Sequence, residues 1–286
     1  MATIGIIGGS GLYQIEGLQN VRELEVHTPF GEPSDTFTVG TLEGREVVFL
    51  PRHGRGHRIP PTDVNYRANI FAMKQLGVEL IVSVTACGSL RQDFKPLDFV
   101  LPDQFVDRTN QARKMTFFEK NIVAHISFAD PVCSSLRESL RAAAAAVGIG
   151  VHFGGTYITM EGPAFSTRAE SNLYRSWGMD IIGMTNMSEA KLAREAEICY
   201  ATLAAVTDYD CWYESKEEVT VEMVIQNLAK NVENAKKIVR QFVKDVPLVR
   251  PCGCSSALAH AIITDPKLIP QKVKEDLAPI IGKYIQ

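Results

Sequence analysis

The sequence predicts an α/β fold in which helices flank a mixed, largely parallel central β-sheet. Three observations predict it. Short runs rich in Ile, Val and Leu recur along the chain, each bounded by Gly, Pro or polar residues. The runs are apolar throughout rather than alternating, as strands buried on both faces are. Segments of helical period lie between them, and strands that alternate with helices assemble as parallel crossovers. No repeat, low-complexity tract or linker divides the 286 residues. Residues 1–286 are therefore expected to form one domain.

In chain order, Ile4–Ile7 is the first strand and ends in Gly8-Gly9-Ser10-Gly11. Val47–Leu50 runs into Pro51-Arg52-His53-Gly54. Asn65–Leu76 places Tyr66, Ile70, Met73 and Leu76 on one helical stripe, with Gly77 as its stop. Leu80–Val84 meets Thr85-Ala86-Cys87-Gly88. Ser135-x-x-Glu138 and Thr167-x-x-Glu170 match the capping box and open helices that stop near Gly148 and Gly178. Between them Tyr157–Met160 runs into Glu161-Gly162-Pro163. Ile181–Met184 leads into Thr185-Asn186, and Leu203–Val206 into Thr207-Asp208. Thr220 can cap a long helix that buries Val221, Val224, Ile225, Leu228, Val232 and Val239.

Composition narrows the function. Lys plus Arg total 30 against 33 Asp plus Glu, a net charge of −3, so no basic surplus points to nucleic acid or an anionic membrane. The amino terminus lacks the basic start and apolar core of a secretory signal. No stretch approaches the roughly 18 apolar residues of a membrane helix. The six cysteines are scattered except for Cys252-Gly253-Cys254, unlike a disulfide scaffold. The cytoplasm is the expected location.

Ligands of open α/β sheets bind at the carboxyl ends of the strands, where this chain concentrates its polar chemistry. The glycines after Ile7 let backbone amides approach an anion, and Ser10 adds a hydroxyl. The same turn suits a structural role or, as an imperfect G-x-G-x-x-G, a dinucleotide. Arg52 and His53 lie in a loop with three Arg and two His, either a solvated loop or an anion site with a planar donor fork. Thr85, Ala86 and Thr185 add hydroxyl and amide donors. No Walker pattern is present, which favours free phosphate over a nucleoside triphosphate. Asp208 and Asp210 close the last strand. They can cap a turn, or grip a purine: one as general acid at N7, the other accepting from an exocyclic amine. No further carboxylate or His stands at ligand spacing, so no metal site is expected there.

Taken together, Gly8-Gly9-Ser10-Gly11-Leu12, Arg52-His53-Gly54, Thr85-Ala86-Cys87-Gly88-Ser89-Leu90, the run from Asp103 to Thr109, the run from Glu161 to Glu170, and Thr207-Asp208-Tyr209-Asp210-Cys211-Trp212 resemble the methylthioadenosine phosphorylase branch of the trimeric purine nucleoside phosphorylases. The resemblance runs from Ile4 to about Phe242. It implies a nucleoside phosphorylase-like fold and phosphate contacts from Ser10, Arg52, His53, Thr85, Ala86 and Thr185. It further implies Met184 against the ribose, Phe165 stacked on the purine with Ser166 close by, Asp208 at N7 and Asp210 at the amino group. A pocket for the 5′ substituent would take Val221, Val224 and Ile225, with His125 from a neighbouring subunit. By themselves His125, Phe165, Met184 and the three helix residues read as ordinary packing. Inorganic phosphate would be a co-substrate with no cofactor, and the assembly a homotrimer or a dimer of trimers. Two positions depart from the pattern: Ser10 stands where relatives often have Thr, and Ser188 where many have Pro. Cys252 and Cys254 suit a disulfide, a redox dithiol or two plain thiols. Competing readings are a sister enzyme for 6-oxopurine nucleosides or methylthioinosine, an NAD-binding oxidoreductase, and an adenosine sensor without activity.

Overall fold

The computed structural model describes residues 3–9, 11–119, 121–213, 221–247 and 249–285, with the backbone alone at 221–225. Ser10, Thr220 and the side chains of Val221, Val224 and Ile225 therefore lie outside the described residues. The elements run β1 (Thr3–Gly8), β2 (Gln19–Leu24), β3 (Phe37–Leu42), β4 (Arg45–Pro51), α1 (Tyr66–Gln75), β5 (Val78–Ser89), β6 (Phe99–Leu101), β7 (Gln104–Arg108) and α2 (Ser134–Ala146). They continue with β8 (Val151–Phe153), β9 (Thr156–Met160), α3 (Arg168–Ser176), β10 (Ile181–Gly183), α4 (Asn186–Glu195), β11 (Cys199–Asp208) and α5 (Val221–Asp245).

All six strands expected from the apolar runs are present, as β1, β4, β5, β9, β10 and β11. The sheet is mixed: β1 pairs parallel with β4 and β5, β11 with β5, β9 with β7 and β10, and β6 with β8. The β2–β3, β3–β4, β6–β11 and β5–β10 pairs are antiparallel. The sheet separates two apolar layers. Ile81 and Tyr200 face α1 and α4, through Ile70, Phe71, Ala190 and Leu192. Leu80, Val82 and Leu203 face α2 and α5, through Leu136, Leu140, Ile238 and Phe242. Covering both faces explains why the strands read as unbroken apolar runs.

Strand β5 positions the site. Along its first half it lies between β1 and β11, with Ile7 opposite Ser83. At its far end Gly88 and Ser89 turn to pair with β10 instead. Between these two pairings Val84–Cys87 have no strand partner on that side among the described residues, near the ends of β1, β4 and β10.

Helix boundaries follow the local chemistry with two corrections. Asn65 caps α1 by accepting from the Ala68 amide at 3.1 Å. Thr167 and Glu170 form the expected reciprocal box at α3, and Gly77, Gly148 and Gly178 follow their helices at positive φ. Ser135 does not cap α2. That helix begins two residues earlier than such a cap would give, behind Cys133, without a side-chain cap, and Glu138 pairs with Arg141. Leu228, expected inside, is 39% exposed. The α5 stripe buries Val239, as expected, together with Asn231, Ala235, Ile238 and Phe242.

Candidate active site

Arg52 follows β4, and its amide donates to the Gly8 carbonyl at 2.9 Å, joining the ends of β4 and β1. The side chain is almost fully buried. Its guanidinium donates to both Glu189 oxygens and, at 2.6 Å, to Ser83 Oγ. Glu189 also accepts from Ser83 Oγ at 2.6 Å and Tyr200 Oη at 2.8 Å. Asn186 ties in by donating to Tyr200 Oη at 2.9 Å and Thr202 Oγ1 at 3.0 Å. Burial alone would lower the Arg52 pKa, but the Glu189 carboxylate overrides it and holds the pKa above its ordinary value. The cation is thus fixed in place and charge-balanced from behind. Glu189 thus brings a carboxylate in among the donors at these strand ends. A buried Arg requires a partner, but nothing in the local pattern distinguishes Glu189 from an exposed first-turn acid.

His53 stands beside Arg52 with its ring stacked on His57 at 4.4 Å between centroids. Its Nδ1 lies 2.8 Å from the Ile59 carbonyl. A carbonyl only accepts, so Nδ1 carries the proton and Nε2 offers a lone pair. Burial, then the Arg52 charge, push its pKa down to about 4. Thr85 Oγ1 sits 3.2 Å from the Ala86 carbonyl, and Ala86 is exposed on the segment of β5 that pairs with β11 alone among the described strands. Thr185, buried, precedes the first turn of α4 without capping it through its side chain. Those amides and that helix end are suited to an anion. Arg52, Thr85 and Ala86 thus gather on and beside β5, and Thr185 is joined to them through Asn186, which donates to Ser83 at 3.2 Å.

The far end of β5 meets the two carboxylates. Asp208 ends β11 opposite Gly88. It accepts from Thr207 Oγ1 at 2.7 Å and from the Asp210 amide at 2.8 Å. A Cβ at Gly88 would meet Asp208 Oδ1 at 3.1 Å and Asp210 Cβ at 3.4 Å, so a glycine there admits both acids. Asp210 adopts φ +52° and is buried, and its Oδ2 has no hydrogen-bond partner among the described residues. Burial raises both pKa values, and for Asp210 the Asp208 charge adds to it. An unpaired buried acceptor suits a ligand donor, because leaving it unmet costs about 1–3 kcal/mol.

Phe165 is 74% exposed, an apolar face available for stacking, while the adjoining Ser166 is buried with Oγ 3.5 Å from Met160 Sδ. The Cys211 thiol donates to the Ser166 carbonyl at 3.2 Å, which binds the Phe165 loop to the Asp210 turn. Met184 packs over Gly162, where a Cβ would strike its sulfur. Arg113, unnoticed in the sequence, clamps this side. Its side chain is buried and donates to Glu161 Oε1 at 2.9 Å, to the Glu161 carbonyl at 2.6 Å and to the Met184 carbonyl. His125 is exposed in a loop whose amide donates to Ala261 at 2.8 Å, so its contacts run to the carboxyl-terminal segment instead of the strand ends. Helix α5 is held against β11 by Asn227, donating to Thr207, and Asn231, donating to Val206, each at 2.9 Å.

Residues 3–244 match the family model described as the phosphorylase superfamily. The chain belongs to that superfamily. Within it, the S-methyl-5′-thioadenosine phosphorylase of Geobacter sulfurreducens is 60% identical over 282 residues, covering 99% of both chains. The enzyme of the same name from Koribacter versatilis is 58% identical over 99% of this chain and 97% of its own. Among solved superfamily structures, a methylthioadenosine phosphorylase from an antarctic soil metagenomic library superposes with a TM-score of 0.93 at 50% identity, covering 98% of each chain. The Schistosoma mansoni methylthioadenosine phosphorylase in complex with adenine gives 0.79 at 36% identity, again over 98% of each chain. The superfamily fold, an α/β domain with a mixed, largely parallel sheet, agrees with the sequence expectation, and the glycine turn after β1 belongs to a phosphorylase and not to a dinucleotide-binding dehydrogenase.

Proposed function

We propose that this chain is a pentosyltransferase that cleaves 5′-methylthioadenosine with inorganic phosphate, giving adenine and 5-methylthioribose-1-phosphate. One observation carries the reading: the strand whose Ser83 holds Arg52 also bears Gly88, against which a half-buried acid, Asp208, and a buried one, Asp210, rest. Cation and acids therefore serve one cleft. Phosphate is held by Arg52, Thr85, the Ala86 amide, Thr185 and Ser10, and His53 Nε2 accepts from the one P–OH of the dianion. The glycosidic bond lengthens first, and the sugar gains oxocarbenium character that the phosphate dianion steadies before it attacks C1′. Asp208, its pKa raised by burial, supplies a proton or strong hydrogen bond at N7 as the base leaves. Asp210 accepts from the exocyclic amine and disfavours a 6-oxo base. Phe165 stacks on the purine, Ser166 lies close to it, and Met184 lies against the ribose. Positioning and electrostatics supply the rate, with no covalent enzyme intermediate and neither metal nor organic cofactor in the reaction.

The 5′ pocket takes Val221, Val224 and Ile225 from the start of α5, which the Asn227 and Asn231 bonds press against the Asp208 end of β11. His125 enters it from a second subunit of a homotrimer, which accounts for its distance from the strand ends within its own chain. The whole of residues 1–286 acts as one domain, and the enzyme works in the cytoplasm, serving purine and methionine salvage. The test is adenine release from methylthioadenosine with and without phosphate, beside methylthioinosine. Release that requires phosphate and favours the adenine nucleoside is expected. Phosphate-independent release, or no release, overturns the reading.

A further inference from the structure

Four of the six cysteines, far apart in sequence, meet in the fold. Cys133 precedes the first turn of α2, Cys199 opens β11, and Cys252 and Cys254 flank Gly253 at the 3-10 turn Gly253–Ser256. Their sulfur atoms all lie within 4.8 Å of one another, and all four are free thiols. The Cys199 and Cys252 sulfurs are 3.3 Å apart, well beyond the ~2.05 Å of a disulfide. Four sulfurs placed 2.3 Å from one ion at the corners of a tetrahedron stand about 3.8 Å apart, within the range seen. Cys133 and Cys199 are buried in the apolar layer with Leu80, Leu136 and Val246, and the Cys133 amide donates to the Tyr200 carbonyl at 2.8 Å, fixing two of the corners. The cluster adjoins Arg250 on one side and Arg194 on the other. It lies at the start of β11, roughly 30 Å along the strand from Asp208 at 3.3 Å per residue, so it takes no part in the reaction.

We propose that Cys133, Cys199, Cys252 and Cys254 hold one structural Zn²⁺ as a tetrahedral tetrathiolate that staples the carboxyl-terminal segment to β11 and α2. Four S–H bonds give their protons to solvent as four S–Zn bonds form, and nothing is oxidised. Zinc suits the site because soft thiolates select it and a closed shell of four sulfurs makes a structural centre.

The test is metal analysis of the full-length protein purified in reductant without chelator, together with its intact mass. About one zinc per chain is expected, with four thiols resisting mild alkylation until the metal is released by a mercurial. The Cys252→Ser/Cys254→Ser double variant should lose the zinc and unfold at lower temperature while still releasing adenine at 25 °C. Absence of metal, an intact mass about 4 Da short from two disulfides, iron or copper in place of zinc, or full zinc retention in the double variant overturns the proposal. The wild-type metal and mass measurements stand even if the variant fails to fold.

Discussion

At the residue scale the site depends on groups kept in unfavourable states. Asp208 and Asp210 are carboxylates whose ionised forms burial opposes, the arrangement expected where an acid must deliver a proton near neutral pH. Asp208→Asn should lower kcat by about 10²–10⁴-fold with a smaller change in KM, measured by steady-state adenine release. Asp210→Asn should move base preference toward the 6-oxo nucleoside, and side-by-side kcat/KM for methylthioadenosine and methylthioinosine reads this directly. Unchanged selectivity sinks the assignment of Asp210 to the amine. His53 gives a pH signature. Its folded pKa is pushed down to about 4 from an ordinary 6.5, so between those values the unfolded chain binds a proton that the folded chain refuses. Its contribution to stability is complete above pH 6.5 and drains away as pH falls toward 4. Thermal melts of His53→Asn from pH 4.5 to 7.5 should therefore show a shallower acid decline than wild type.

At the element scale, how much the sequence revealed depended on whether a signal was local. The Thr167–Glu170 box is local and forms as read. Thr167→Ala should cost about 1 kcal/mol by chemical denaturation, with little effect on substrate affinity beyond the neighbouring Phe165 loop. The Ser135 box has the same pattern, yet α2 starts two residues earlier because Cys133 and Leu136 are drawn into the core. Strands β2 and β3 escaped notice for a different reason. The two-residue turn between β3 and β4 has Glu43 and Gly44 at φ +50° and +75°, the shape usually marked by Asn-Gly. Helix α4 ties the site to the core through Glu189. Glu189→Gln should leave Arg52 a buried, poorly paired cation, costing about 3–5 kcal/mol and raising KM for phosphate while adenine binding is kept. Equal losses of adenine and phosphate binding would count against this role.

At the scale of the whole molecule, the proposed site is organised by one long strand that changes neighbours. Because β5 leaves β1 after Ser83 and joins β10 at Gly88, backbone paired on one side only and side chains from distant segments meet along one strand. The exposed Phe165, the exposed His125 and the outward Leu228 fit a site completed by a second subunit. Sedimentation should find a trimer or a multiple of it, and His125→Ala should raise KM for methylthioadenosine more than for adenosine.

The sequence by itself determined the layered class of fold, the six core strands, and the residue types at their carboxyl ends. Those features depend on short-range order: apolar runs that require two covered faces, glycines that end helices, and acids and cations placed directly after strands. Only tertiary structure decided that Glu189 lies behind Arg52, that Arg113 clamps the Met184 loop, that Leu228 faces outward, and that four scattered cysteines meet. Each of these joins residues dozens of positions apart or depends on which way a helix rolls, and burial and pairing across such distances are settled by packing rather than by local pattern.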